Sequence, residues 1–290
     1  MTNRTLIGLI GANIGNSLAP AINDLAFARA GAEGFYHSMD LDQLYLSPDD
    51  LPALLDAVKL AGFAGTNVTY PCKQSVIPLL DEIEPAATTI GAVNTVRFRN
   101  GRAFGFNTDW IGFGHAVTTQ LPKSGQRLDL IAIVGAGGAG RAVAYALANL
   151  GVKSLLVYDT AKAQVDGLIT DISPTFPNIE FKAAASLDEA LDGATGVVNA
   201  TPIGMFGHPG TPIPTSLLRE GLWVGDVIYT PLETELIAAA RERDLEVVTG
   251  DGMALGQAVA AFELMTDLKA DQSAMQSELQ RLLVERATEL

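Results

Sequence analysis

A mainly apolar run from Leu128 to Val134 ends in six small residues, Gly135-Ala136-Gly137-Gly138-Ala139-Gly140, and an Ala-rich helical stretch opens at Arg141. A short buried run of this kind is the strand of a parallel sheet covered on both faces. A G-x-G-x-x-G turn between such a strand and a helix binds the pyrophosphate of a dinucleotide. The first glycine makes the tight turn, the second lets the backbone approach the phosphates, and the third lets helix and strand pack closely. The helix start adds free N–H groups and a positive dipole end. The expected cofactor ligands are therefore Gly135, Ala136, Gly137, Gly138, Ala139 and Gly140.

A second strand, Ser154 to Val157, leads to Asp159, about 20 residues past the glycines, where a carboxylate accepts hydrogen bonds from ribose hydroxyls and repels a 2′-phosphate. Thr160, Ala161 and Lys162 follow, with no arginine to hold such a phosphate. NAD is the expected cofactor and NADP the alternative. Further strands are expected at Gly196 to Asn199, Leu222 to Ile228 and Glu246 to Val248. Strands alternating with helices predict a doubly wound sheet.

Ahead of this region, Leu6 to Ile10 reads as a buried strand, followed by a helix from about Pro20, which suits a first helical turn. Leu51 to Leu60 and Val76 to Ile83 read as helices, and Gly62 to Val68 leads into a strand. Ala92 to Phe98 and Arg102 to Phe106 predict a hairpin across Asn100-Gly101. A polar break falls at Pro122 to Gln126, and the chain from Met253 on reads as helical, able to pack back on the first domain. The 290 residues are enough for two domains. The expected class is α/β, with an N-terminal α/β substrate domain and a doubly wound Rossmann domain for NAD(P). Their expected limits are 1–110, completed by C-terminal helices at 251–290, and 111–250.

The net charge of −14, from 33 acidic and 19 basic residues, argues against nucleic acid as a partner. An anionic ligand must then be met by locally placed donors. Cys72 is the single cysteine, and His37, His115 and His208 lack ligand spacing, so no metal site is expected. The apolar stretch at the start is short and broken by glycines, which predicts neither a leader nor a membrane span and leaves a cytoplasmic protein as the default.

The first domain carries Asn67-Val68-Thr69-Tyr70-Pro71-Cys72-Lys73, then Gly91-Ala92-Val93-Asn94-Thr95, then Asn107-Thr108-Asp109. With Gly15-Asn16-Ser17-Leu18-Ala19-Pro20, the Asp226 to Pro231 segment, and Gly250-Asp251-Gly252-Met253 through Gln257-Ala258, the sequence resembles the shikimate/quinate dehydrogenase family. The likeness spans essentially the whole chain. It implies reversible NAD(P)-dependent oxidation of the ring secondary alcohol of a small polyhydroxylated acid to the 3-dehydro ketone, in aromatic biosynthesis or quinate catabolism. It gives Lys73 the hydroxyl proton, with Asp109 beside it. Ser17, Asn67, Thr69, Asn94, Tyr229 and Gln257 would hold the substrate. Thr201, Val227 and Gly250 would join the cofactor residues, with the nicotinamide near Ala200-Thr201-Pro202 in a cleft between the domains. Where the family places a second hydroxyl, as Ser-x-Ser or Ser-x-Thr, this chain has Ala19. That leaves shikimate, quinate or an aminoshikimate-like acid open as substrate, and a non-catalytic sensor as the alternative from another class. A monomer or a homodimer is expected.

Overall fold

The computed structural model describes residues 4–121 and 127–288; the expected break at Pro122 to Gln126 lies outside the described residues. The chain divides into two compact units. One holds the described residues up to Thr108 with those from Gln257 on, and the other is Asp109–Gly256.

The first unit contains β1 (Thr5–Gly11), α1 (Ala19–Arg29), β2 (Gly34–Asp40), α2 (Leu51–Leu60), β3 (Gly65–Val68), β4 (Glu82–Ile83), α3 (Pro85–Ile90), β5 (Thr95–Arg99) and β6 (Arg102–Phe106). Its sheet runs β2-β1-β3-β5-β6-β4. The β1 strand is parallel to β2 and β3, whereas β5 runs antiparallel to β3 and β6. Asn100 and Gly101 both take positive φ, 52° and 75°, as a two-residue turn between twisted strands requires. Ile10, Leu51, Val68, Val76 and Val96 form the centre of one core cluster. Each such fully buried aliphatic side chain contributes about 1.5–3 kcal/mol.

Val76 to Ile83 is not a helix. It holds a single 3₁₀ turn, Ile77–Leu79, and the edge strand β4. Pro78 removes a helical donor, and the Asp81 N–H bonds the Ala103 carbonyl at 2.9 Å, which draws the chain onto β6. The sequence reading also lacks β2, because His37 and Ser38 break its apolar pattern on a sheet edge.

The second unit contains α4 (Asp109–Gln120), β7 (Leu130–Val134), α5 (Gly138–Asn149), β8 (Ser154–Tyr158), α6 (Lys162–Ile172), β9 (Glu180–Ala183), α7 (Leu187–Leu191), β10 (Gly196–Asn199), β11 (Trp223–Asp226), α8 (Glu235–Arg241) and β12 (Val247–Val248). Its sheet is parallel in the order β12-β11-β10-β7-β8-β9. The strand order reverses between β7 and β10, and the loops leaving their C-terminal ends flank the point where such sheets take ligands. The helix α9 (Gly250–Thr266) starts in this unit and ends in the first, and α10 (Gln272–Thr288) follows it. In the first unit Phe262 of α9 meets Phe27 of α1 edge-on at 5.1 Å. No helix among the described residues is long and apolar enough to cross a membrane.

Candidate active site

In the second unit the glycines after β7 have distinct reasons to be glycine. Gly135 has φ +104°, and a Cβ there would meet the Ala200 carbonyl at 2.8 Å. A Cβ on Gly140 would lie 1.9 Å from the Gly135 oxygen, so α5 can approach β7 only through a glycine. Gly137 and Gly138 face open space, with nothing within 4 Å of a built Cβ. Gly137 is the N-cap of α5 and offers no side chain to the first-turn N–H groups. An uncapped twelve-residue helix behind an open backbone turn suits an anionic group.

Asp159 follows β8 and is half-buried. One carboxylate oxygen accepts the Ala136 N–H at 2.7 Å and the other the Ala161 N–H at 2.8 Å. The carboxylate is thereby held beside the glycine turn with lone pairs to spare. Thr201 stands two residues beyond β10, and both its N–H and its hydroxyl donate to Asn199 Oδ1, at 2.9 and 2.7 Å. The Val227 N–H donates to the Asn199 carbonyl. A Cβ on Gly250 would meet the Val227 and Ile228 carbonyls at 2.5 Å, which fixes glycine at the start of α9. Thr201, Val227 and Gly250 thus gather with the glycine turn at the strand ends of one unit.

In the first unit the polar segments interlock. Gly91, with φ +73°, ends α3 in the left-handed conformation, and the chain then turns back to the Lys73 carbonyl, which accepts the Val93 N–H at 2.9 Å. The Asn67 amide donates to the Asn94 carbonyl and to Thr95 Oγ1, at 3.3 and 3.0 Å. Asn94 Oδ1 accepts the Thr108 N–H at 2.7 Å, and the Asn107 amide donates to the Ala92 carbonyl at 3.0 Å. Asn94, Thr95, Asn107 and Thr108 are all buried. Lys73, Asn67 and Thr69 are half-buried at the rim of this bonded set.

The loop carrying Ser17 is held by Asp40 at the end of β2, whose carboxylate accepts the N–H groups of Asn13 and Ile14 at 3.1 and 2.9 Å. The Ser17 hydroxyl accepts the Ala19 N–H at 3.2 Å while Leu18 sits at the N-cap of α1, so the serine keeps its own proton for an acceptor. Gln257 is half-buried on the part of α9 that belongs to the first unit. Tyr229, exposed after β11, and Asp109, buried at the start of α4, belong to the second unit.

Sequence reasoning missed several members. The Tyr36 hydroxyl, buried on β2, donates to Asn67 Oδ1 at 3.0 Å. Asp40, Thr95 and Thr108 carried no signal apart from the segments around them. In the second unit Asn199 and Asp226 lie under the two loops just described. Burial pushes the Asp226 carboxyl up to about 6, partly offset by hydrogen bonds from Ile228, Thr234 and Asn199. Cys72 is fully buried and burial pushes its thiol up, which fits a small apolar filler rather than a nucleophile. Among the described residues no group of three or more His, Cys, Asp or Glu could hold a metal ion.

Residues 9–96 match the family model of the shikimate dehydrogenase substrate binding domain. A shikimate dehydrogenase (NADP(+)) of Streptomyces avermitilis is 43% identical over 279 residues, 96% of this chain and 95% of that one. A quinate/shikimate dehydrogenase (NAD(+)) of Corynebacterium glutamicum is 43% identical over 278 residues, 95% of this chain and 98% of its own. Among solved structures, quinate dehydrogenase from Corynebacterium glutamicum in complex with NAD aligns with a TM-score of 0.90 at 42% identity, covering 96% of this chain and all of that one. Shikimate 5-dehydrogenase from Thermus thermophilus, in complex with NADP(H) and shikimate, aligns with a TM-score of 0.84 at 34% identity, covering 96% and 99%.

Proposed function

The chain belongs to the shikimate/quinate dehydrogenase family, and from that premise we propose that it oxidises the ring secondary alcohol of shikimate or quinate reversibly to the 3-dehydro ketone. It is an NAD(P)-dependent oxidoreductase acting on CH–OH. The observation that carries the substrate reading is the interlock in the first unit. Segments 67–73, 91–95 and 107–108 are bonded to one another by buried amides and hydroxyls. They hold Asn67, Thr69, Lys73 and Asn94 in one place as hydrogen-bonding partners for a polyhydroxylated ring. Such a site rejects analogues that lack the hydroxyls, because its polar groups would be left unpaired.

The bound dinucleotide supplies the hydride acceptor. The Lys73 amine takes the hydroxyl proton as the C–H bond yields its hydride, and returns it in the reverse reaction. The family resemblance makes Asp109 the second residue of the proton transfer. Ser17 donates to the substrate carboxylate, Gln257 is a further substrate partner in the same unit, and the resemblance adds Tyr229 as a substrate residue. The glycine turn, Thr201, Val227 and Gly250 take the dinucleotide, with Asp159 on the ribose hydroxyls. Its negative charge beside the turn favours NAD over NADP. We take the protein to work in the cytoplasm as a monomer or homodimer, with no nucleic acid or membrane partner.

Formation of the reduced cofactor from NAD or NADP, followed by absorbance with quinate and shikimate in parallel, tests the assignment. Turnover of either acid, lost by a factor of about 10² or more in Lys73→Ala, is the expected result. No turnover with either acid or cofactor would reject it. A second reading rests on Ala19, which leaves Ser17 as the only hydroxyl side chain in the Ser17-Leu18-Ala19 segment: the acid is a relative of shikimate, such as an amino-substituted one. The sensor reading requires dinucleotide binding without turnover of any such acid.

A further inference from the structure

The mechanism leaves Asp226, a buried carboxyl of the second unit, unused. Asp226 is 1% exposed at the C-terminal end of β11. One carboxylate oxygen accepts the Ile228 N–H at 3.0 Å and the Asn199 Nδ2 at 3.1 Å. The other accepts the Thr234 hydroxyl at 2.8 Å. Thr234 in turn caps α8 by accepting the Ile237 N–H at 3.2 Å.

The bond to Asn199 has a directional consequence. A carboxylate can only accept, so it draws the NH₂ end of the Asn199 amide toward itself and leaves Oδ1 facing the other way. That oxygen receives both Thr201 donors, and Asn199 Nδ2 also donates to the Ile203 carbonyl at 3.1 Å. Thr201 Oγ1 then accepts the Ile203 N–H at 3.1 Å. The backbone from 201 to 203 is therefore fixed from below by one asparagine whose orientation one aspartate sets. Asn199 is fully buried, so solvent cannot supply the missing partners.

We infer that Asp226 is a positioning residue, acting through Asn199 to set the Thr201 loop and with it the nicotinamide end of the dinucleotide. The inference rests on the reading that this loop meets the cofactor. The adenosine and pyrophosphate end depends instead on the glycine turn and Asp159, which Asp226 does not touch in the bonds described.

This division supplies the test. The dissociation constants of NADH and of ADP-ribose, which lacks the nicotinamide, are compared for the wild-type protein, Asp226→Leu and Asp226→Asn, together with KM and kcat. Asp226→Leu is expected to weaken NADH by about tenfold or more, the equivalent of one lost buried partner, while ADP-ribose stays within about twofold. Asp226→Asn keeps an acceptor for Asn199 and should recover most of the NADH affinity. If Asp226→Leu does not fold, Asn199→Ala, which removes the same link from its other end, should show the same split at about threefold or more. Equal weakening of both ligands, or of neither, in a folded variant overturns the inference and marks Asp226 as structural. Failure of the wild-type protein to bind NADH, NADPH or ADP-ribose would reject the cofactor reading itself, and the inference with it.

Discussion

Asp40 and Asp159 occupy equivalent places in the two sheets: each follows or closes a strand parallel to its predecessor, and each reaches back to the loop that leaves that predecessor. Asp40 accepts the N–H groups of Asn13, Ile14 and Asp42 and is 5% exposed. Asp159 accepts those of Ala136 and Ala161 and remains half-exposed. A carboxylate has about four acceptor sites. Buried on three amides, Asp40 is a latch for the loop that carries Ser17. Asp159, with two amides and an open side, is a latch that can also meet a ribose. On the proposed cofactor reading, the outward-facing side of Asp159 is the part that would meet the ribose.

The strongest way to break this comparison is to remove each carboxylate. Asp40→Ala removes the acceptor of three N–H groups, of which that of Ile14 is buried, and the expected loss is about 2–3 kcal/mol. Asp159→Ala leaves the exposed Ala161 N–H to water and only that of buried Ala136 without its acceptor, and should lose less, about 1 kcal/mol. Urea midpoints at unchanged slope measure both, and equal losses would remove the distinction between latch and ligand site. Asp226 adds a third strand-end acid, also buried, and its burial raises its carboxyl pKa to about 6. Its folded form holds a proton that the unfolded chain has already released between about pH 4 and 6. This group therefore makes stability fall as pH rises through that window, by up to about 3 kcal/mol, and the penalty persists above it. Asp226→Asn should flatten the corresponding part of the stability–pH curve. An unchanged curve would mean that Asp226 ionises as readily as an exposed acid.

A smaller effect separates the two roles at the cofactor. Asp159→Ala should lower kcat/KM with NAD by about tenfold and raise it with NADP, since a ribose partner and a like charge are lost together. The ratio of the two specificity constants reads this directly. A ratio unmoved by the substitution would place Asp159 with Asp40, as a structural residue.

The two units also differ in how much of them the sequence exposed. The turn from Gly135 to Gly140 is legible because its demands are local: a positive φ at Gly135, no room at Gly140 for a Cβ, which would lie 1.9 Å from the Gly135 oxygen, and an uncapped helix start. The alternation around it foretold the parallel sheet. Lys73 and the segments 91–95 and 107–109 were legible only through resemblance, since an isolated lysine or asparagine says nothing of its partners. Tyr36 was lost with β2, whose polar residues hide an edge strand. Asn199 and Asp226 could not be paired, because the strand order that makes β10 and β11 neighbours appears only in the folded sheet. Val76 to Ile83 was misread because its apolar spacing outweighed Pro78 and the pull of Asp81 toward β6.

The smallest predicted effect sharpens the comparison from the side of the first unit, in the loop that Asp40 holds. Ala19 opens α1 and is half-buried, and its N–H is bonded to the Ser17 hydroxyl. Ala19→Ser adds a hydroxyl one helical position ahead of Pro20, where serine disturbs neither the turn nor the helix start. If the substrate carboxylate lies against this loop, the added donor contributes about 0.5–1.5 kcal/mol, a two- to twelvefold fall in KM for the acid with the cofactor KM unchanged. Measured on shikimate and quinate side by side, the change also shows whether the bare Cβ of Ala19 makes room for the extra ring hydroxyl of quinate, in which case the gain is confined to shikimate. A KM that Ala19→Ser leaves unmoved for both acids would place the carboxylate away from the Ser17 loop and leave Asp40 holding that loop for stability alone.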